Sequence, residues 1–249
     1  HIEDSTASVY KIQIKDYHGN NTWVTLNING VKIDSLKNSV SKTTDFFIQA
    51  NQATSLEKEN VSVSIPANTF YDDFFIDFNV VNDTLTIHEP IIPLQKNMVI
   101  NFDVSDYKEE DKNKLYIARQ AYKNTSYYTT TRREKNILTA KTRILGSYTL
   151  FMDTIAPTIK AANFTDGKWI SNNKTLKIKI EDSHSGISSY RATLNGRFIL
   201  MEYNYKKDVL TYDFNDNIIT DTQNNLRLIV TDNVGNSTTF EAIFFRKKL

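Results

Sequence analysis

Apolar residues recur at every second position along most of this chain. Tyr10, Ile12 and Ile14 alternate with Lys11, Gln13 and Lys15, and Leu176, Ile178 and Ile180 alternate with Lys177, Lys179 and Glu181. A period of two puts apolar side chains on one face of a pleated strand and polar ones on the other, which predicts half-buried antiparallel sheets. Val, Ile, Thr, Tyr and Phe dominate these runs, as a half-exposed pleated surface favours. Helical periodicity is rare. The stretch from Asp106 to Lys114 is polar all round, so it predicts a solvated loop or one helical turn. The pattern reads as all-β: tandem immunoglobulin-like β-sandwiches.

One internal repeat organises the chain. Residues 10–28 (YKIQIKDYHGNNTWVTLNI) match residues 226–244 (LRLIVTDNVGNSTTFEAIF) without a gap. Asp16, Gly19 and Asn20 fall on Asp232, Gly235 and Asn236, and the apolar positions coincide. Each copy predicts strand, turn, strand. An Asp side chain can accept hydrogen bonds from amides a few residues on, Gly supplies the positive φ of a tight turn, and Asn tolerates the left-handed region. These six residues are therefore read as structural turns. A calcium site at Asp16 or Asp232 is the sharper alternative, and it needs several converging oxygens.

The second copy closes the chain's last domain, so the first copy is expected to close one too. A lone hairpin is marginal without further strands. Residues 1–34 are thus read as the terminal hairpin of an otherwise absent sandwich, completed by the missing N-terminal part of the same protein or by strand donation from another chain. Residues 35–152 are read as a middle β-sandwich. The Asp153-Thr-Ile-Ala-Pro157 linker opens a C-terminal immunoglobulin-like sandwich over 153–249, with strands expected at 157–164, 175–181, 188–195, 197–203, 208–214, 226–231 and 238–246. Asn195-Gly196 predicts a tight hairpin turn.

Composition narrows the chemistry. Lys and Arg total 30 against 29 Asp and Glu, so no basic excess exists to neutralise a nucleic-acid backbone. No apolar run is long enough to span a bilayer as a helix. The absence of cysteine excludes disulfides and thiolate zinc sites. His1, His18, His88 and His184 are too scattered for a His-x-His or His-Glu-x-x-His pattern. There is no Gly-x-Ser-x-Gly elbow and no phosphate-cradling glycine loop. Asp72-Asp73 and Glu109-Glu110 could imitate a glycosidase pair, but their polar, turn-like neighbours mark them as solvated loops. Trp23 and Trp169 could stack on a sugar, although core or edge packing is the favoured reading.

The C-terminal segments DTIAPTI, NFTDGKWIS, DSHSGISSYRATLNGRF and NNLRLIVTDNVGNSTTFEAIFFR resemble the C-terminal region of secreted lysostaphin-type (LytM-like) zinc metallopeptidases of Bacteroidetes. The IPANTF segment at 65–70 resembles a ZU-type sandwich. The resemblance implies a secreted, periplasmic or cell-surface accessory region that positions a peptidase on peptidoglycan, a surface glycan or a protein. That family's zinc is held by two histidines and an aspartate. No position here matches, so no catalytic, cofactor or metal residue is assigned, and zinc is expected only in a missing peptidase domain. The alternative is a surface adhesion or structural protein of immunoglobulin-like repeats with no enzymatic partner domain.

Overall fold

The computed structural model describes residues 6–30, 44–121, 125–216 and 221–247. The chain divides into two compact units, His1–Thr43 and Thr44–Leu249. The expected boundary at residues 34 and 35 lies outside the described residues.

The first unit contains a hairpin of β1 (Ala7–Lys15) and β2 (Asn21–Asn29), antiparallel, with Tyr10 opposite Leu26 and Ile12 opposite Val24. Its alternation leaves one apolar face: Tyr10, Ile12 and Ile14 on β1, Val24 and Leu26 on β2.

In the second unit the middle sandwich runs through β3 (Phe46–Ile48), β4 (Thr54–Lys58), β5 (Val61–Ile65), β6 (Phe74–Ile76), β7 (Phe78–Val81), β8 (Thr84–Ile87) and β9 (Met98–Asp103). One helical turn, α1 (Glu109–Lys112), follows, then β10 (Leu115–Gln120), β11 (Ser126–Tyr128), β12 (Thr131–Glu134), β13 (Ile137–Thr142) and β14 (Gly146–Met152). Two five-stranded sheets, β11-β10-β14-β8-β7 and β12-β13-β9-β5-β4, enclose the core, with β3 and β6 as a separate pair. The period of two explains the packing. Val61, Val63 and Ile65 are buried while Ser62 and Ser64 between them are not, and Met98, Ile100 and Phe102 repeat the pattern on β9. The α1 turn is polar, yet Lys112 is buried because its Nζ reaches Glu109 at 2.6 Å and Asn136 at 3.0 Å.

The C-terminal sandwich comprises β15 (Thr158–Ala161), β16 (Lys168–Trp169), β17 (Thr175–Glu181), β18 (Ile187–Leu194), β19 (Arg197–Ile199), β20 (Glu202–Asn204), β21 (Val209–Asp213), β22 (Gln223–Asp232) and β23 (Ser237–Phe245). Sheet β15-β17-β21-β20 faces sheet β16-β23-β22-β18-β19 across a core that includes Leu176, Ile178, Leu210, Leu228, Val230 and Phe244. The fold is all-β, with sandwiches of immunoglobulin type in tandem.

Three runs are each split into two strands, one of them expected as a single strand. The 197–203 run divides into β19, paired with β18, and β20, paired with β21 in the opposite sheet. Residues 74–80 divide at Asp77 into β6 and β7, and 126–132 into β11 and β12 on different sheets. The alternation does not break at the first two crossings: Ile199 and Met201 are both buried around exposed Leu200, as are Ile76 and Phe78 around Asp77. A strand that passes between two sheets facing one core keeps the same parity inward, so hydrophobic periodicity does not report the crossing. Short β16, parallel to the end of β23, had no periodic signal either.

Candidate functional site at the junction of the two sandwiches

The linker residue Asp153 is 1% exposed and is tied to both sandwiches. Its amide donates to the Lys114 carbonyl just before β10 at 2.9 Å. One carboxylate oxygen, Oδ1, accepts the Ile155 amide at 3.0 Å, and Oδ2 accepts the Ser185 amide at 3.0 Å and its hydroxyl at 2.6 Å. The Asp153 carbonyl accepts Asn236 Nδ2 at 3.0 Å, and Lys114 Nζ donates to Asn236 Oδ1 at 2.5 Å.

The turn that receives this linker is the second copy of the repeat. Asp232 Oδ1 accepts the amides of Val234 at 2.9 Å and Asn236 at 2.8 Å, while Oδ2 accepts Asn236 Nδ2 at 2.7 Å. Gly235 takes φ +85° with open space around it, so only its backbone conformation demands glycine. Beside it, Asp182 Oδ1 accepts the amides of His184 and Gly186, closing the β17–β18 turn. Asn233 Nδ2 joins the two turns by donating to the carbonyls of Ser185 at 2.8 Å and Gly186 at 3.1 Å.

Oxygens of Asp153, Asp182 and Asp232 all lie within 4.8 Å of one another, the set among the described residues that could hold a metal ion. A cation here would have these three carboxylates as ligands. As it stands, the carboxylates are supplied with N–H and O–H donors from the turns, and that is what the arrangement visibly does. Burial pushes the Asp153 carboxyl up, but the Ser185 and Ile155 hydrogen bonds and the positive potential of His184 outweigh it, leaving the pKa below the ordinary carboxylate value. Facing it, Tyr116 of β10 is 4% exposed; burial and the negative potential of Asp153 and Asp182 push its phenol up to about 12.

The first copy of the repeat builds the same turn. Asp16 Oδ1 accepts the Asn20 amide at 2.9 Å, Oδ2 accepts Asn20 Nδ2 at 2.8 Å, and Gly19 takes φ +89°. The hydrogen bond from Asn20 Nδ2 leads the causes that lower the pKa of exposed Asp16. Asp16 is not in the metal-capable set; Asp232 is, because Asp153 and Asp182 converge on it.

The remaining sites considered from sequence lie apart. Glu109 pairs with Lys112, and Asp73 caps the Ala50 amide at 2.7 Å. An acidic cleft of about 630 Å³ includes Glu57, Glu59, Asp83 and Asp103, but Asp83 is engaged by Asn60 and Tyr107 and Asp103 by the Ser105 amide. Among the described residues, no histidine enters a set of three metal-capable side chains, so they do not fit a zinc site of two histidines and an aspartate. His1 lies outside the described residues. Trp169 is 60% exposed on edge strand β16, its ring 5.5 Å from Phe245.

Sequence reasoning found the turn residues Asp232, Gly235 and Asn236 but missed Asp153, Asp182 and Ser185 as their companions. The signal was present in part: an aspartate opens the linker, and Asp182-Ser-His-Ser-Gly is an Asp-led turn. Their convergence depends on tertiary packing.

Two interleaved five-stranded sheets that end at Met152 set the middle sandwich apart from its neighbours. The Zu5-like domain profile matches residues 45–153. The matched segment ends on the linker aspartate that the C-terminal sandwich grips. No curated protein matches the chain. Among solved structures, the fibronectin(III)-like modules of Clostridium thermocellum CbhA are similar at 14% identity, covering 61% of this chain and 86% of that one, with a TM-score of 0.30. The sandwich assignment rests on the strand order itself.

Proposed function

We propose that this chain is the non-catalytic C-terminal accessory region of a secreted zinc metallopeptidase that cuts peptidoglycan or protein. The Zu5-like domain and the C-terminal sandwich act as a stiff scaffold that holds the enzyme against its substrate or the cell envelope. The observation that carries the scaffold role is the Asp153 junction. A flexible linker leaves its backbone polar groups to water. Here the linker aspartate is buried and hydrogen-bonded to Lys114 on one side and to Ser185 and Asn236 on the other. The peptidase partner, the secreted location and the envelope target come from the family resemblance of the C-terminal segments. The partners are an upstream peptidase domain and the strands that complete the first hairpin.

The test compares residues 1–249 with the intact natural polypeptide that contains them, on peptidoglycan sacculi and on casein, with zinc content measured. Hydrolysis and bound zinc in the intact protein, with neither in 1–249, is the expected result. An intact protein that binds no zinc and cleaves neither substrate overturns the peptidase reading. The second reading, a surface adhesion protein of immunoglobulin-like repeats, is favoured by the exposed Trp169 ring, whose face can stack on a sugar. It predicts glycan binding by 1–249 that Trp169→Ala abolishes.

A further inference from the structure

The register of the sheet β16-β23-β22-β18-β19 fixes which side chains share its outer face. Phe198, Thr193, Arg227 and Glu241 stand directly opposite one another across β19, β18, β22 and β23. Two residues along, Asn225 stands opposite Ile243, and two further on Gln223, Phe245 and Trp169 form a third row across β22, β23 and β16. The residues between them, Leu226, Leu228, Ala242 and Phe244, are buried in the core. Over these rows lies an open cleft of about 650 Å³, floored by Asn225, Arg227, Glu241 and Ile243 and flanked by Asp166 before β16 and Gly196 between β18 and β19. Small-ligand sites occupy about 300–1,000 Å³.

The aromatic residues set the length of what fits. Trp169 is 60% exposed, and its ring leans on Phe245 at 5.5 Å and 32°, which holds it in place with most of its surface open. Phe198, at the opposite corner, is 56% exposed. Strands lie about 4.8 Å apart and rise about 3.4 Å per residue, so two positions four strands and four residues apart are separated by roughly 23 Å.

The polar groups set its chemistry. The side-chain amide of Asn225 and the hydroxyl of Thr193 make no hydrogen bond within the described chain, so both are open to a ligand. Arg227 Nε meets Glu241 Oε1 at 3.4 Å, and both side chains are exposed. Asp166, the other charged residue of the lining, spends Oδ1 on the Ile243 amide at 2.7 Å. Among the described residues the cleft therefore has no group of cations to hold a phosphate, sulfate or uronate. Strands β22 and β23 are paired on both edges, so no backbone row is free for an extended peptide. Polar side chains separate Phe198 from Ile243, Phe245 and Trp169, so the face lacks the continuous apolar patch of a protein interface.

Deepening the adhesion reading, on which it rests, we propose that this cleft binds a neutral, β-linked pyranose chain. Such rings are flat, with C–H bonds on their faces and hydroxyls around their edges. One ring stacks on Trp169. The chain then crosses Asn225 and the Arg227–Glu241 pair, which offer its hydroxyls both donors and acceptors. A distal ring reaches Phe198.

Calorimetric titration of residues 1–249 with cellohexaose, chitohexaose and polygalacturonate tests this. The first two distinguish a glucan from an N-acetylglucosamine chain as the source, and the third is the charged comparison. At least one neutral hexasaccharide should bind, at least tenfold more tightly than its own disaccharide, which cannot reach from Trp169 to Phe198. Trp169→Ala should weaken binding at least a hundredfold. Phe198→Ala and Arg227→Ala should each weaken it at least threefold, with the melting midpoint unchanged. Equal affinity for disaccharide and hexasaccharide, or no effect of either Phe198→Ala or Arg227→Ala, confines the sugar to the Trp169 ring and overturns the cleft while the adhesion reading stands. Binding of polygalacturonate alone has the same consequence. No binding to any of the three overturns the cleft, and the adhesion reading falls only if a wider glycan array is also blank.

Discussion

Replacing Asp153 with alanine removes a buried carboxylate that accepts three hydrogen bonds, from Ile155 N, Ser185 N and Ser185 Oγ. The Ser185 amide and hydroxyl are then left in a buried site, Ser185 being 0% exposed. Each buried donor left without a partner costs about 1–3 kcal/mol. Repulsion from Asp182 and Asp232 acts against these bonds, but the folded-state pKa of Asp153 stays below the ordinary carboxylate value, so the donors outweigh it. The net expectation for Asp153→Ala is a loss of about 3 kcal/mol from the C-terminal sandwich. For a domain of about 100 residues, 1 kcal/mol moves the midpoint about 4–8 °C, so Tm should fall by roughly 12–24 °C. Trp169 fluorescence in a Trp23→Phe background follows that sandwich specifically, in urea or on heating. Asp153→Asn keeps an acceptor for the Ile155 amide or for Ser185 and should lose about half as much. The loss should depend on pH in a defined sense. The folded-state pKa of Asp153 is depressed, so its stabilisation is fully present above the ordinary carboxylate value near 3.9 and is lost as pH falls below that toward the folded pKa. The gap between wild type and Asp153→Ala should therefore be widest near neutrality and shrink below about pH 4. A midpoint shift under about 2 °C at pH 7, or a gap that grows on acidification, would refute the clamp.

Gly235→Val forces a β-branched residue to φ +85° and should destabilise the C-terminal sandwich by about 1–3 kcal/mol in urea melts; Gly19→Val, with the same strain in the first hairpin, should leave the Trp169-monitored transition of 1–249 unchanged. Tyr116, with its phenol pushed up to about 12 in the fold, should contribute stability below pH 10 that disappears as pH rises from 10 toward 12. Tyr116→Phe should flatten that alkaline loss in a urea-midpoint series, and an unchanged series would remove Tyr116 from the junction's electrostatics.

The period of two determined the fold class, the strand-rich core and the facing of residues such as Val63 and Ile178, because side-chain alternation is a local consequence of the pleat. The repeat likewise placed the turns at Asp16–Asn20 and Asp232–Asn236, since an Asp acceptor, an Asn and a left-handed Gly specify a turn within five residues. Other features had no local signature. Strands that pass from one sheet to the other, at Asp77 and at Leu200–Met201, keep their parity because both sheets face the same core. The junction, too, belongs to tertiary structure alone. Asp153, Asp182 and Asp232 are separated by 29 and 50 residues in sequence, and only the packing of the β17–β18 and β22–β23 turns against the linker brings their oxygens within 4.8 Å. In the second copy of the repeat, Leu226, Leu228 and Val230 are buried because the sheet β15-β17-β21-β20 covers them. Alternation states which face wants burial, and only the tertiary structure supplies what buries it.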